Sequence, residues 1–204
     1  MSSILHSIYA ERNRVPILEV LRRVLPARGS VLEIASGTGQ HIEYFAQSLP
    51  GLYWIPSDPD PTHRASISAR ISAAALENVD EPLDLDVLAD WPRLFVDAVI
   101  VANLLHISPP ETLSALCEGA ARMMPPGGVL HIYGPFKRHG AHTSEGNTAF
   151  DRSPRERNPA WGIRDLERVI AVAAASGFVN REIIDMPANN FSVVFDLAAD
   201  EQEI

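Results

Sequence analysis

Cysteine is almost absent from this chain: Cys117 is the only one among 204 residues. No internal disulfide can form, and that usage fits a reducing compartment, so a cytoplasmic location is expected. Cys117 falls on the apolar face of a helix expected over 109–124, where a thiol is buried filler rather than a nucleophile. Long apolar runs are missing as well. None approaches the roughly 18 residues of a membrane span, and residues 1–15 carry no secretory apolar block. Positive charge is short, with 17 Lys and Arg against 26 Asp and Glu, for a net charge of −9. A protein that grips long nucleic acid carries the opposite balance, so neither nucleic acid nor a membrane is the expected partner. His139-Gly-Ala-His142 has no third ligand at metal-site spacing, so no metal is expected there.

What is present concentrates in one segment, Val31-Leu32-Glu33-Ile34-Ala35-Ser36-Gly37-Thr38-Gly39-Gln40-His41. The apolar run predicts a buried parallel strand that stops at a turn of small residues. Gly37 and Gly39 allow positive φ and a close backbone approach to a ligand. A helix beginning near Gln40 turns its free N–H groups and positive dipole end into the same space. Together they predict a nucleotide-type pocket at the carboxyl edge of a sheet. The dinucleotide fingerprint needs a third glycine, and Ile42 stands there. What remains is acid-x-small-x-Gly-x-Gly, with Ala35 in the first small position, a residue that disfavours positive φ.

Apolar spacing predicts a helix over 13–25 with Pro16 in its first turn, a strand at 31–35 and a helix at 40–49. A strand at 52–58 ends in an acidic turn; a helix at 62–77, a short strand at 82–87 and a central strand at 96–102 follow. After the 109–124 helix come a strand at 129–133, a long loop over 134–160 and a helix at 163–176. The last two strands, 178–184 and 191–197, form an antiparallel hairpin across Met186–Asn190. Alternating strands and helices predict an α/β, doubly wound, mostly parallel seven-stranded sheet in one domain, 1–204, ended by that hairpin.

The acid-x-small-x-Gly-x-Gly turn resembles motif I of class I S-adenosylmethionine-dependent methyltransferases, a Rossmann-like fold, usually with glycine where Ala35 stands. Other segments are more specific. ERNRVPILEVL (11–21), SDPDP (57–61), NLLHISP (103–109), YGPFKRHGAHTSEGNTAFDRS (133–153) and RERNPAWGIRDLE (155–167) resemble the family called domain of unknown function 938, the methyltransferase-like protein 26 group. The likeness spans essentially the whole chain. It implies a class I methyltransferase fold and S-adenosyl-L-methionine as cofactor, and it implies no particular methyl acceptor.

Each part of that cofactor wants a different partner. Asp58, ending the second strand, is placed to accept both ribose hydroxyls, with Asp60 as a fallback in what is also simply a good turn. Glu33 on a buried strand either holds the cofactor ammonium or bonds backbone N–H groups of the loop. Ala35, Gly37 and Gly39 form the cradle. Asp86 either meets the adenine amino group, with Val87 and Leu88 on its face, or is a surface acid. Arg12 and Asn13 clamp the cofactor carboxylate or the acceptor, or cap the surface. Asn103 and His106 end the central strand beneath the expected methyl position. His106 is the first candidate for a base and Tyr133 the next, ahead of His139, His142 and Asp151; a rim histidine bonded to backbone is the plainer role for His106.

Lys137, Arg138, Arg152, Arg155, Arg157, Arg164 and Arg168 cluster late in the chain. They form either a surface of interleaved ion pairs or a rim that draws in a small anionic substrate. The expected function is methyl transfer to a small-molecule acceptor. Its rivals are a methyltransferase-fold protein that binds cofactor or a protein partner without catalysis, and a nicotinamide oxidoreductase, which the missing third glycine opposes.

Overall fold

Val31, Leu32 and Ile34 are buried on β1 (Gly29–Ile34), a strand with a parallel neighbour on each edge. The computed structural model describes residues 4–199, and the chain divides into two compact units, Met1–Ala102 and Asn103–Ile204. In the first unit β1 pairs in parallel with β2 (Leu52–Pro56), Val31 opposite Trp54, and with β3 (Ala98–Ala102), Val31 opposite Ala98. A strand covered on both faces needs a continuous apolar run rather than alternation, which is why 31–34 and 98–102 were legible.

Three helices cover this unit: α1 (Ile8–Val24), α2 (Gln40–Ser48) and α3 (Pro61–Ala74). The first begins well before the expected residue 13. Ser7 caps it, its hydroxyl accepting the Ala10 N–H, and Pro16 therefore lies inside the helix rather than in its first turn. The strand expected at 82–87 does not form. Residues 78–83 follow β2 instead, through Trp54 N–H to Asn78, Asp80 N–H to Trp54 and Leu83 N–H to Pro56. Only isolated bridges result, Trp54 with Val79 and Ser57 with Leu83. Pro82 lies between them and has no N–H for the ladder.

In the second unit, α4 (Thr112–Met123) precedes β4 (Val129–Arg138), and α6 (Leu166–Ala175) precedes β7 (Phe178–Met186) and β8 (Asn190–Leu197). The C-terminal hairpin is antiparallel, as expected, and β8 pairs antiparallel with β4, Leu130 opposite Phe195. Cys117 is fully buried on α4, and burial pushes its thiol up to about 12, so it is packing and not a nucleophile. The loop expected over 134–160 is mostly structured. It holds the end of β4, the short β5 (Ala141–His142) and the helix α5 (Glu145–Arg157); β6 (Arg164–Asp165) then pairs with β4. Ser144 caps α5 by accepting the Asn147 N–H at 3.0 Å.

Candidate functional site

The glycine turn after β1 is pinned from β2. Ser36 N–H donates to the Ser57 carbonyl at 2.8 Å, and the Ser57 hydroxyl donates to the Glu33 carbonyl at 2.8 Å. That clamp holds Ala35 at φ 55°, in the left-handed region the sequence argued against. An L-residue with a Cβ loses about 1–2 kcal/mol there, and glycine gives back about 0.4–1 kcal/mol through its freer unfolded chain. Ala35→Gly is therefore expected to raise stability by about 1 kcal/mol, roughly 2–4 °C in Tm, measured by thermal melting.

The two glycines serve different ends. A Cβ on Gly39 would lie 3.1 Å from Ile67 Cα and 3.2 Å from Arg70 Cδ, so glycine is needed there for α3 to close on the turn. Arg70 fastens that contact by donating to the Thr38 carbonyl at 2.8 Å and pairing with Glu43 at 2.7 Å. Gly37, at φ 57°, faces open space, its nearest neighbour being the Ala35 carbonyl oxygen 4.0 Å away. Its N–H donates to Asp58 Oδ2 at 2.9 Å. The buried Asp58 carboxylate also accepts the Asp60 N–H at 2.9 Å and meets His63 Nδ1 at 3.1 Å. A carboxylate has about four acceptor sites, and of its three partners here His63 is the one that lies on the exposed side.

Glu33 is the most telling residue of the site. It is 2% exposed, its Oε2 has no hydrogen-bond partner, and Oε1 lies 3.8 Å from His41 Nδ1. Burial, with the Asp58 charge adding, pushes its carboxyl up to about 8 despite a contact from Ser36. The loop reaches this side chain through Ser36 and leaves Oε2 without a partner. His41 was not anticipated. It lies in the first turn of α2 and stacks on Phe45 at 5.2 Å, and its Nε2 donates to Asn13 Oδ1 at 2.7 Å. Burial and the nearby Arg14 hold its imidazole down at about 4. Asn13 thus enters the site through His41. The signal for it was the motif itself, Gly37-x-Gly39-Gln40-His41, where a buried helix N-terminus follows the turn and no side chain caps it.

Gln40 ties α1 to the same place: its Oε1 accepts the Ser7 N–H and the Thr38 hydroxyl, and its Nε2 donates to Glu11. Arg14 pairs with Glu11 and lies over the Tyr44 ring at 4.8 Å. Arg12 points to solvent on α1 and joins none of these contacts. Asp86 is exposed and accepts the Leu88 N–H at 2.9 Å. Val87 is buried beside it, its carbonyl accepting the Trp91 indole N–H, while Leu88 is exposed. Asp60 serves as the N-cap of α3 through Thr62 N–H at 2.7 Å.

The other expected residues belong to the second unit. Asn103 has φ 61°, which asparagine tolerates, and donates its N–H to the Tyr133 carbonyl at 2.9 Å. Tyr133 is buried on β4, opposite Ser192. His106 is buried edge-on to Phe150 at 5.3 Å. Burial, then Arg164 and Arg157, hold its imidazole at about 4, so it is neutral at pH 7 but a weaker base than free imidazole. Arg164 steadies that turn, donating to the carbonyls of Leu105, Ser108 and Ala160.

Asp151 is a structural hub. It accepts the Ile163 N–H at 2.5 Å and Arg155 Nε at 2.9 Å, with His142 at 3.5 Å and Lys137 at 3.7 Å. Arg138 and His139 share Glu167. Interleaved pairing thus accounts for Lys137, Arg138 and Arg155. Among the described residues no group of three or more His, Cys, Asp or Glu could hold a metal.

Residues 6–197 match the family described as "Protein of unknown function (DUF938)". Solved structures share the fold. An O-methyltransferase family protein from Burkholderia thailandensis superposes with a TM-score of 0.80 at 18% identity, covering 94% of this chain and 58% of its own. The S-adenosylmethionine-dependent methyltransferase SibL, in its apo form, gives 0.78 at 20%, covering 94% and 56%. A methyltransferase in calicheamicin biosynthesis, solved with SAH bound, gives 0.72 at 18%, covering 93% and 55%. The chain spans a little over half the length of these proteins. It belongs to the DUF938 family and has the α/β fold of class I O-methyltransferases.

Proposed function

We propose that this chain is an S-adenosyl-L-methionine-dependent methyltransferase acting on a small-molecule acceptor. One observation carries the reading: a buried carboxylate oxygen, Glu33 Oε2, lies without a partner beside a glycine turn open at Gly37. A desolvated carboxylate is tolerated only when it is neutralised or paired, and an ammonium is the pairing group such a ligand brings. The residues present fit that cofactor. Glu33 would take its ammonium, Gly37 and the uncapped start of α2 its carboxylate end, Asp58 its ribose and Val87 a face of its adenine.

The sulfonium supplies a methyl already activated for in-line displacement, so alignment dominates, with about 7–11 kcal/mol available from orientation alone. His106, neutral and buried, suits orienting an acceptor hydroxyl or amine, with Tyr133 the second candidate. Arg152, Arg157 and Arg168 make no ion pair in the described residues and would favour an anionic acceptor, a preference resting on fewer cations than the sequence suggested.

Asp58→Asn tests the cofactor site. Hydrogen bonds to a charged acceptor contribute about 1.5–3 kcal/mol each. S-adenosylhomocysteine is therefore expected to bind about 10–100-fold more weakly to this variant by calorimetry, and unchanged affinity removes Asp58 from the site. Transfer from methyl-labelled cofactor across a metabolite panel then tests catalysis. The weak basicity of His106 favours one rival, a cofactor-binding protein without transfer, and binding with no labelled product from any acceptor would support it.

A further inference from the structure

We infer that Asn13 and His41 are positioning residues that keep Glu33 protonated until a ligand ammonium arrives, so that cofactor uptake releases a proton. The inference rests on the cofactor reading above and names a linkage within that same site. The geometry is directional. Asn13 Oδ1 can only accept, so the 2.7 Å contact requires the hydrogen on His41 Nε2. His41 Nδ1 is then a bare lone pair, and it faces Glu33 Oε1 at 3.8 Å. Two acceptors face one another in a site where Glu33 is 98% removed from solvent and its other oxygen has no hydrogen-bond partner.

Burial and the neighbouring Asp58 charge raise the Glu33 carboxyl and prevail over a hydrogen bond from Ser36, which lowers it. Asp58, at the end of β2, is a like charge; His41, on α2, offers no hydrogen; Arg14, on α1, is close enough to oppose protonation of His41. The resting acid is therefore neutral through pH 7, its carboxyl lying near 8. Uptake balances as Glu33 carboxylic acid plus ligand ammonium giving a carboxylate–ammonium pair, the proton passing to buffer. A folded-state value this high moves the usual carboxylate window upward: binding strengthens as pH rises toward 8 instead of levelling off at about pH 5.

Calorimetry of the intact chain with S-adenosylhomocysteine, from pH 6 to 8 in buffers of different ionisation enthalpy, tests this. Wild type is expected to release about one proton per ligand near pH 6, with affinity rising about tenfold per pH unit up to pH 7. Asn13→Asp keeps the shape but charges the partner, so His41 becomes an imidazolium whose Nδ1–H serves Glu33. Its proton release is expected to fall toward zero and its affinity to flatten, with the melting curve reporting that the fold survives. Wild type that binds with flat affinity and no proton release overturns the inference while leaving the cofactor reading intact. Wild type that does not bind S-adenosylhomocysteine at any pH overturns the cofactor reading, and the inference with it. If wild type shows the linkage and a folded Asn13→Asp keeps it unchanged, the pair is not its source and the inference falls.

Discussion

Asp151→Ala is expected to destabilise the second unit by about 3 kcal/mol, the low end of the 3–5 kcal/mol lost when one partner of a buried ion pair is removed. The low end applies because Arg155 still reaches solvent and can be rehydrated. The effect is large because one side chain closes several connections. It fixes Ile163 ahead of β6, Arg155 on its own helix, and Lys137 and His142 on β4 and β5. Burial raises its carboxyl, but the Ile163 N–H, the Arg155 guanidinium and Lys137 prevail and hold it below the ordinary 3.8. A lowered folded value means the contribution is fully present above the unfolded value and fades as pH falls below about 4. Urea melts should show wild type losing stability between about pH 4 and 2 more steeply than Asp151→Asn. Equal slopes would mean the carboxylate is not what holds these elements together.

The same residue explains what was hard to read. Helix α5 is GNTAFDRSPRER after its first glutamate, a composition of turns and charge, and its buried positions are Asn147, Asp151 and Pro154. It has no apolar stripe for periodicity to find, because polar bonds hold it: Asn147 to Thr143 and the Asn189 carbonyl, and Asp151 to its cations. The signal available was Ser144 as a cap followed by an acid. The strands and helices of the first unit were legible for the opposite reason. Val31, Leu32, Ile42, Phe45, Trp54 and Ile67 bury apolar area at strand or helix spacing, and that pattern is local.

The candidate site divides along the same line. Gly37, Gly39, Asp58 and Glu33 were legible because strand, turn and acid follow one another along the chain. His41 was not, because its importance comes from Asn13 on α1, 28 residues away. Ala35 misled because propensity opposes its φ while the Ser36–Ser57 clamp imposes it.

Gly37→Val is expected to abolish binding of S-adenosylhomocysteine while leaving the chain folded. The backbone at φ 57° gains a β-branched side chain, and left-handed geometry adds about 1–2 kcal/mol of strain. The new Cβ itself meets no atom closer than 4.0 Å. The space it fills is the space beside Glu33 and the start of α2 that the proposed cofactor needs. Gly39→Val supplies the contrast. There the Cβ meets Ile67 Cα at 3.1 Å, a backbone atom that cannot swing aside, so the turn and α3 must separate. Overpacking of that kind adds about 1–3 kcal/mol to the strain, so this variant should melt several degrees below Gly37→Val. Circular dichroism melts with calorimetry on both variants separate the two effects. A folded Gly37→Val that binds S-adenosylhomocysteine as wild type does would show that the open side of the turn is not the ligand's place. If the two variants melted alike, the division of labour between the glycines would fall.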